Sequence, residues 1–194
     1  MLIAGSRLIE TPVMGLQTGA ELARTSKAII NPNTLEIVAY ELSGPLLDIH
    51  PSLLRIADVR EFSDIGIIVD SSDEFVSPDD IIKLGEIYKL NFKLIGMNVI
   101  DKKRHKVGKV ESYILDTNAF IIQQLDVRRP LLRSLNDASL LIHRAQIVEI
   151  NDSEIIIDSE TEKIPQPIIH AARTAYVNPF RKNQSPQPEH IDQE

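Results

Sequence analysis

The residue pattern of this chain occurs twice, so the chain must fold as two equivalent units or as one structure with internal symmetry. Residues 22–31 align with 107–116 at an offset of 85 (116 − 31), and the match continues through 35–42 against 120–127. Residues 66–71 then match 154–159 at an offset of 88 (158 − 70), with a short insertion between. Each copy predicts the same succession: an opening strand (12–16; 98–101), a turn, a strand (25–30; 110–115), an Asn/Asp turn, a third strand, a longer irregular segment and a final Ile-rich strand. β-Branched residues fill these runs, and Asn31-Pro32-Asn33 and Asp116-Thr117-Asn118 punctuate them, which favours strands over helices. Short strands with frequent turns predict a mainly β chain in which each copy forms a small barrel, the arrangement that removes the exposed edges of an open sheet.

Length is compatible with this, since 194 residues make one large domain or two small ones. A module of roughly 80 residues buries only about 60% of its unfolded surface, so two such modules gain from docking or dimerisation. The expected organisation is a first barrel at 1–76, a connector helix at 77–90, a second barrel at 91–165, a short helical segment at 166–177 and a disordered tail at 178–194, rich in Pro, Gln and charge. Ser77-Pro78-Asp79-Asp80 reads as a helix start: a hydroxyl cap, Pro at the first helical position and acids facing the dipole. The helix is predicted over 78–90, packed through Ile81, Ile82, Leu84 and Tyr88.

Composition narrows the function classes. No apolar run approaches the roughly 18 to 20 residues of a membrane span, and the N-terminal residues do not read as a signal peptide, so a soluble cytoplasmic protein is expected. The absence of cysteine removes disulfides, thiolate chemistry and Cys-ligated metals. His50, His105, His143, His170 and His190 are scattered singly, and neither a Gly-rich phosphate loop nor G-x-S-x-G occurs. No catalytic residue, metal site or cofactor is therefore expected, and the chain reads as a non-enzyme. Acidic runs at Asp70-Ser71-Ser72-Asp73-Glu74 and Asp158-Ser159-Glu160-Thr161-Glu162 recur after the final strand of each copy. They lack the glycine of a calcium loop and read as solvated turns.

Charge distinguishes the copies. Residues 1–90 hold 7 Lys and Arg against 14 Asp and Glu, whereas 91–194 hold 14 of each, within a net charge of −7. One basic cluster stands out: Lys102, Lys103, Arg104, His105 and Lys106 with Lys109, at the first turn of the second copy, which Arg128, Arg129 and Arg133 can join. Three readings fit it: a wet hairpin tip, a contact for an acidic protein, or a contact for RNA phosphates. No aromatic residue is interleaved, so base stacking is not indicated. Apolar residues in the irregular segments, Leu46, Leu47, Leu53 and Leu54 in the first copy and Leu131, Leu132, Leu135, Leu140 and Leu141 in the second, belong either to the core or to a docking or dimer surface.

The second copy carries Leu94-Ile95-Gly96-Met97-Asn98-Val99-Ile100-Asp101, then Val107-Gly108-Lys109-Val110 running to Asp116, then an apolar strand ending near Val127. The first opens with Gly5-Ser6-Arg7-Leu8-Ile9 and Pro12-Val13-Met14-Gly15-Leu16-Gln17-Thr18-Gly19. In these motifs the chain resembles the PRC-barrel family, whose fold occurs in the photosynthetic reaction centre H subunit and the ribosome maturation factor RimM, and looks like bacterial tandem PRC-barrel proteins. The resemblance covers both copies up to about residue 165. It implies two tandem PRC-type β-barrels, with conserved positions that serve turns and barrel interiors and no catalytic role. The first copy departs from it at Ala23, where the second has Gly108, a place where a strained backbone would have relaxed. The H subunit adds a membrane-spanning helix and RimM precedes its PRC-barrel with a different barrel, and neither feature is read here. The resulting expectation is a scaffold or adaptor that binds an unidentified protein, with self-association as a second mode; the alternative is an RNA-linked accessory factor in ribosome assembly.

Overall fold

A computed structural model describes residues 1–129 and 139–158. The expectations for residues 159–165, the helical segment at 166–177, the tail at 178–194, Leu131, Leu132, Arg133 and Leu135 lie outside the described residues.

The described chain is mainly β. The first copy comprises β1 (Leu2–Ala4), β2 (Pro12–Gly15), β3 (Glu21–Asn31), β4 (Glu36–Ser43), β5 (Leu53–Arg55), β6 (Glu61–Ser63), β7 (Gly66–Val69) and β8 (Phe75–Val76). After α1 (Ile82–Lys89) the second comprises β9 (Asn98–Asp101), β10 (Lys106–Asp116), β11 (Ile121–Arg128), β12 (Ser139–His143), β13 (Ile147–Ile150) and β14 (Glu154–Ile157). The duplication reaches below the order of elements. β3 and β10 both have 11 residues, and β4 and β11 both have 8. The β3–β4 register breaks between Thr25 and Lys27 and between Ile29 and Ile30; the β10–β11 register breaks between Val110 and Ser112 and between Ile114 and Leu115, the same places 85 residues on. Bulges increase local twist, so identical bulges give both hairpins the same curl. In each copy the final strand pairs parallel with the opening one, Val13 opposite Ile67 and Val99 opposite Ile155.

The copies share one hydrogen-bonded ladder rather than two, and its path ends at β6 and β13 without closing on itself. Strands β4 and β11 meet at a single antiparallel pair, Ile121 opposite Glu36. These two residues are counterparts at the 85-residue offset, so a local twofold axis passes through the pair. The backbone confirms the symmetry: the Ile37 N–H donates to the Phe120 carbonyl at 2.8 Å, and the Ile122 N–H donates to the Leu35 carbonyl at 2.9 Å. Leu35 and Phe120 both adopt a left-handed backbone, φ 54° and 52°. Around this seam Ile30, Leu35, Ile37 and Tyr40 from the first copy pack in one cluster with Leu115, Phe120, Ile122 and Leu125 from the second. Two small units that bury little surface alone thus gain a common core.

The lead-in segments cross the seam. β1 pairs with β10, placing Ile3 and Leu8 in the shared cluster, and a Cβ on Gly5 would lie 2.0 Å from the Tyr113 ring, so only glycine lets the chain pass beneath it. Conversely α1, which leads into the second copy, contributes Leu84 to a cluster with Ile29, Ala39 and Leu53 of the first. The first copy has a further core of its own, with Val13, Leu42, Leu47, Leu54, Val69 and Phe75.

Two expectations need correction. The connector helix begins at Ile82, not Pro78, and has no side-chain cap. Ser77 and Asp80 close their own turn instead: the Ser77 N–H donates to the Asp80 carboxylate at 2.7 Å and the Asp80 N–H to the Ser77 carbonyl at 3.1 Å. Ile81 is left extended, at φ −134°. The capping signals are consumed by a tight turn three residues too early to start the helix. The Ala23/Gly108 difference is likewise not a matter of backbone strain, since neither residue is among those with positive φ. It is one of space. A Cβ on Gly108 would lie 2.3 Å from the Arg128 carbonyl oxygen, whereas at Ala23 the chain opposite is Gly44, the counterpart of Arg129. The small residue has changed strands.

Candidate functional site

The basic cluster lies on the turn joining β9 to β10, and that turn is built by Asp101. Its Oδ1 accepts the N–H groups of Lys103 and His105, both at 2.8 Å, and its Oδ2 lies 2.9 Å from His105 Nδ1. Burial pushes the Asp101 carboxyl up, but the donors from His105 and Lys103 outweigh it and hold the group below the usual carboxylate range. Arg104 sits in the left-handed region at φ 66°, where its counterpart in the first copy is Gly19, also at φ 66°. A non-glycine residue there costs about 1–2 kcal/mol.

The structure divides the sequence cluster in two. Lys102 Nζ lies 2.6 Å from the Asp158 carboxylate and Arg104 Nη1 lies 2.7 Å from Glu154, tying the turn to β14 and its C-terminal end. Their charge is answered within the chain. Lys103 is exposed at the turn tip. Lys106, Lys109, Arg128 and Arg129, by contrast, line one shallow depression around Gly108. Lys109 stands directly opposite Arg128 in the ladder, and the nearest carboxylate is Glu111, 3.5 Å from Arg128. Like charges placed opposite each other are unfavourable; Glu111 answers Arg128, whereas Lys106, Lys109 and Arg129 make no ion pair among the described residues.

Next to the depression opens a cleft of about 250 Å³, with Lys106, Arg129, His105 and Asp101 on its rim and Leu140, Ile142 and Ile157 among its walls. Leu141, on the edge of β12, is 52% exposed. The sequence cluster identified the cationic rim but not the apolar wall, which comes from β12 and β14, some 35 and 50 residues further along. Only the repeat could have pointed to it: Leu140, Leu141 and Ile142 correspond to Ser52, Leu53 and Leu54, as the pairings of Leu141 with Asp126 and of Leu53 with Glu41 establish.

The remaining candidates serve the fold. In the first acidic run Asp70 is held by Arg60 at 2.6 Å, which keeps its carboxyl below the ordinary range, and the Ser71 hydroxyl accepts the Asp73 N–H. His143 accepts the Ala145 N–H at its Nδ1 and closes a turn with Gln146. Among the described residues no group of three His, Asp or Glu side chains is placed to hold a metal ion. Leu47, Leu53 and Leu54 are core residues, while Leu46 is 66% exposed. No helix among the described residues is long and apolar enough to cross a membrane. Neither protein-family models nor curated proteins yield a match to the chain.

Proposed function

We propose that this chain is a non-enzymatic adaptor, two PRC-type barrels joined through a pseudo-twofold seam, that docks another protein on its second copy. The observation that carries the reading is the cationic rim beside an apolar-walled cleft, at a place where the first copy has Glu21 and Gly44 instead of Lys106 and Arg129. Positive charge left unneutralised by the fold is suited to meet an acidic partner, and an apolar wall supplies the area that charge alone cannot. The His105 and Asp101 pair at the rim fits a structural part rather than acid/base work, because Asp101 also accepts the two N–H groups that shape the turn. Resemblance to the PRC-barrel motifs supports the fold half of the proposal, and the duplicated bulges and parallel closing strands are consistent with it.

The test is capture from the cells of origin with the tagged full-length chain, paired with light scattering on the purified protein. A specific captured protein, lost when Lys106 and Arg129 are reversed to Glu, is the expected result. A strictly monomeric chain that captures nothing above background would overturn the adaptor reading.

A second reading, an RNA-linked accessory factor in ribosome assembly, draws on Lys106, Lys109, Arg128 and Arg129 as phosphate contacts. Neutralising a few phosphates makes binding fall steeply with salt. Binding to ribosomal RNA or ribosomal protein at low salt, lost on reversing Lys109 and Arg128, would favour it. Negligible affinity for every ribosomal component at low salt would remove it.

A further inference from the structure

α1 connects the two copies, and its sequence gives it little stability of its own. It spans 8 residues, whereas isolated helices shorter than about 12 to 15 residues are marginal in water. No described side chain caps its start, because Ser77 and Asp80 are engaged in the preceding turn. Gly85 lies in its interior, where glycine is a poor helix former. A better helix former does not fit there, since a Cβ on Gly85 would lie 2.5 Å from the Pro78 carbonyl oxygen. The helix therefore persists only while it is docked.

Among the described residues its docking is correspondingly thin. Leu84 and Gly85 are buried, Ile87 and Tyr88 are half-buried, and Ile82 is 81% exposed. Leu84 seats on Ile29, Ala39 and Leu53 of the first copy. The C-terminal end of the helix is gripped by polar groups instead. Lys27 on β3 and Glu41 on β4 stand opposite each other in the ladder, and Tyr88 meets both. Lys27 Nζ lies 5.9 Å from the Tyr88 ring centroid; burial, then the charge and hydrogen bond of Glu41, push the Tyr88 hydroxyl up. Lys27 also donates to Asn91 Oδ1 at 2.9 Å. The strands beneath are held quite differently, by the continuous ladder and by the core that runs through the seam. Stability within one fold is uneven in this way, and segments with few buried contacts open first.

We infer that α1 is a strap that opens by itself: it undocks and unfolds from β3 and β4 while the ladder and the seam stay closed, and Lys27, Glu41 and Tyr88 form the clasp that sets how often. Opening uncovers Ile29, Ala39 and Leu53, an apolar face that the closed form hides. The copies are not parted by it, because the chain stays anchored on either side, through Phe75 in the core of the first copy and Leu94 in the shared one. The inference goes beyond the adaptor reading and does not depend on it.

The test is amide hydrogen exchange of the full-length protein, followed by NMR under conditions where the rate reports the opening equilibrium. The Gly85, Leu90 and Asn91 amides, bonded within the helix and its last turn, are expected to exchange at least about a hundredfold faster than the Ile37 and Ile122 amides that bridge the seam. Their rates should rise little with urea while the seam amides rise steeply, since the slope follows the surface exposed on opening. Ile122→Ala, remote from the helix, should accelerate the Ile37 amide at least about thirtyfold and leave the α1 amides unchanged, because a strap that opens over a closed ladder does not feel the seam. Tyr88→Phe should accelerate the α1 amides about two- to tenfold. Should Ile122→Ala fail to fold, the urea series on the unaltered protein decides alone. Helix amides that exchange as slowly as the seam amides with the same urea slope overturn the inference, as do helix amides that accelerate in step with the seam on Ile122→Ala. An unchanged rate on Tyr88→Phe overturns the clasp.

Discussion

Among the described residues, the two copies differ in the cover over one apolar strand and in charge at equivalent positions. Leu53 is fully buried beneath α1, with β8 on the neighbouring edge, whereas Leu141 at the equivalent position is 52% exposed. Charge follows the same division. Arg24, the counterpart of Lys109, is bonded to Glu21 and stands opposite Ser43, while Lys109 stands opposite Arg128. After duplication, the parts that set curvature and the seam have been held the same: bulges, left-handed turns and parallel closing strands. The charged residues on the two equivalent hairpins have diverged. The comparison separates what the fold requires from what is available for binding.

The seam should be the most symmetric part of the molecule. Ile37 and Ile122 are both fully buried in the shared cluster, so Ile37→Ala and Ile122→Ala should each cost about 2–5 kcal/mol, and by similar amounts. Urea unfolding of the two variants checks this. A large inequality, or two separate transitions, would mean that the copies do not fold as one cooperative body.

Tyr113 breaks the symmetry, because its counterpart is Ala28. Burial pushes its hydroxyl up to about 12, and burial together with the charge of Tyr113 also raises Tyr40. A phenol with a raised folded pKa is stabilising below its unfolded value of about 10, and that stability is lost as pH rises through about 12. The expected loss is about 2–3 kcal/mol for Tyr113 over that interval. Tyr113→Phe should flatten the alkaline limb of a stability profile measured by denaturant titration; an unchanged limb would contradict the burial argument.

Gly108 and Ala23 test the exchange of small residues across strands. Gly108→Ala should cost about 1–3 kcal/mol because its methyl meets the Arg128 carbonyl, while Ala23→Gly should cost no more than about 1 kcal/mol. Equal costs, read from denaturation midpoints, would show that the two strands approach each other equally in both copies.

The smallest effect expected is at the β9–β10 turn. Arg104→Gly relieves a left-handed backbone at the expense of an exposed ion pair with Glu154, and such pairs give about 0–1 kcal/mol. The variant should therefore be neutral or more stable by up to about 1 kcal/mol, as a shift in thermal midpoint. Gly19→Ala, at the same φ, should go the other way. A clear loss on Arg104→Gly would mean that the tie to Glu154 outweighs the backbone.

Much of the β content was legible from the chain alone, because strand and turn signals are local. The predicted strands at 98–101 and 110–115 coincide with β9 or lie within β10, and the Ile-rich runs at 66–71 and 154–159 begin at β7 and β14. The helix start was misplaced because Ser77 and Asp80 serve equally well to close a turn, and nothing in their own sequence distinguishes the two uses. For the site, the basic residues were visible as a cluster but their division was not. Whether Lys102 is answered by an acid depends on Asp158, 56 residues away.

Sequence by itself determined the duplication, the β-rich composition of each copy and the basic character of one turn, since all three are properties of neighbouring residues and their repetition. Tertiary structure alone decided that the copies share one ladder about a twofold seam, that Gly108 lies close against the Arg128 carbonyl, and that Lys102 and Arg104 are answered by Asp158 and Glu154. These depend on which distant backbones come within hydrogen-bonding distance, and a period in the sequence specifies equivalent units without specifying how they meet.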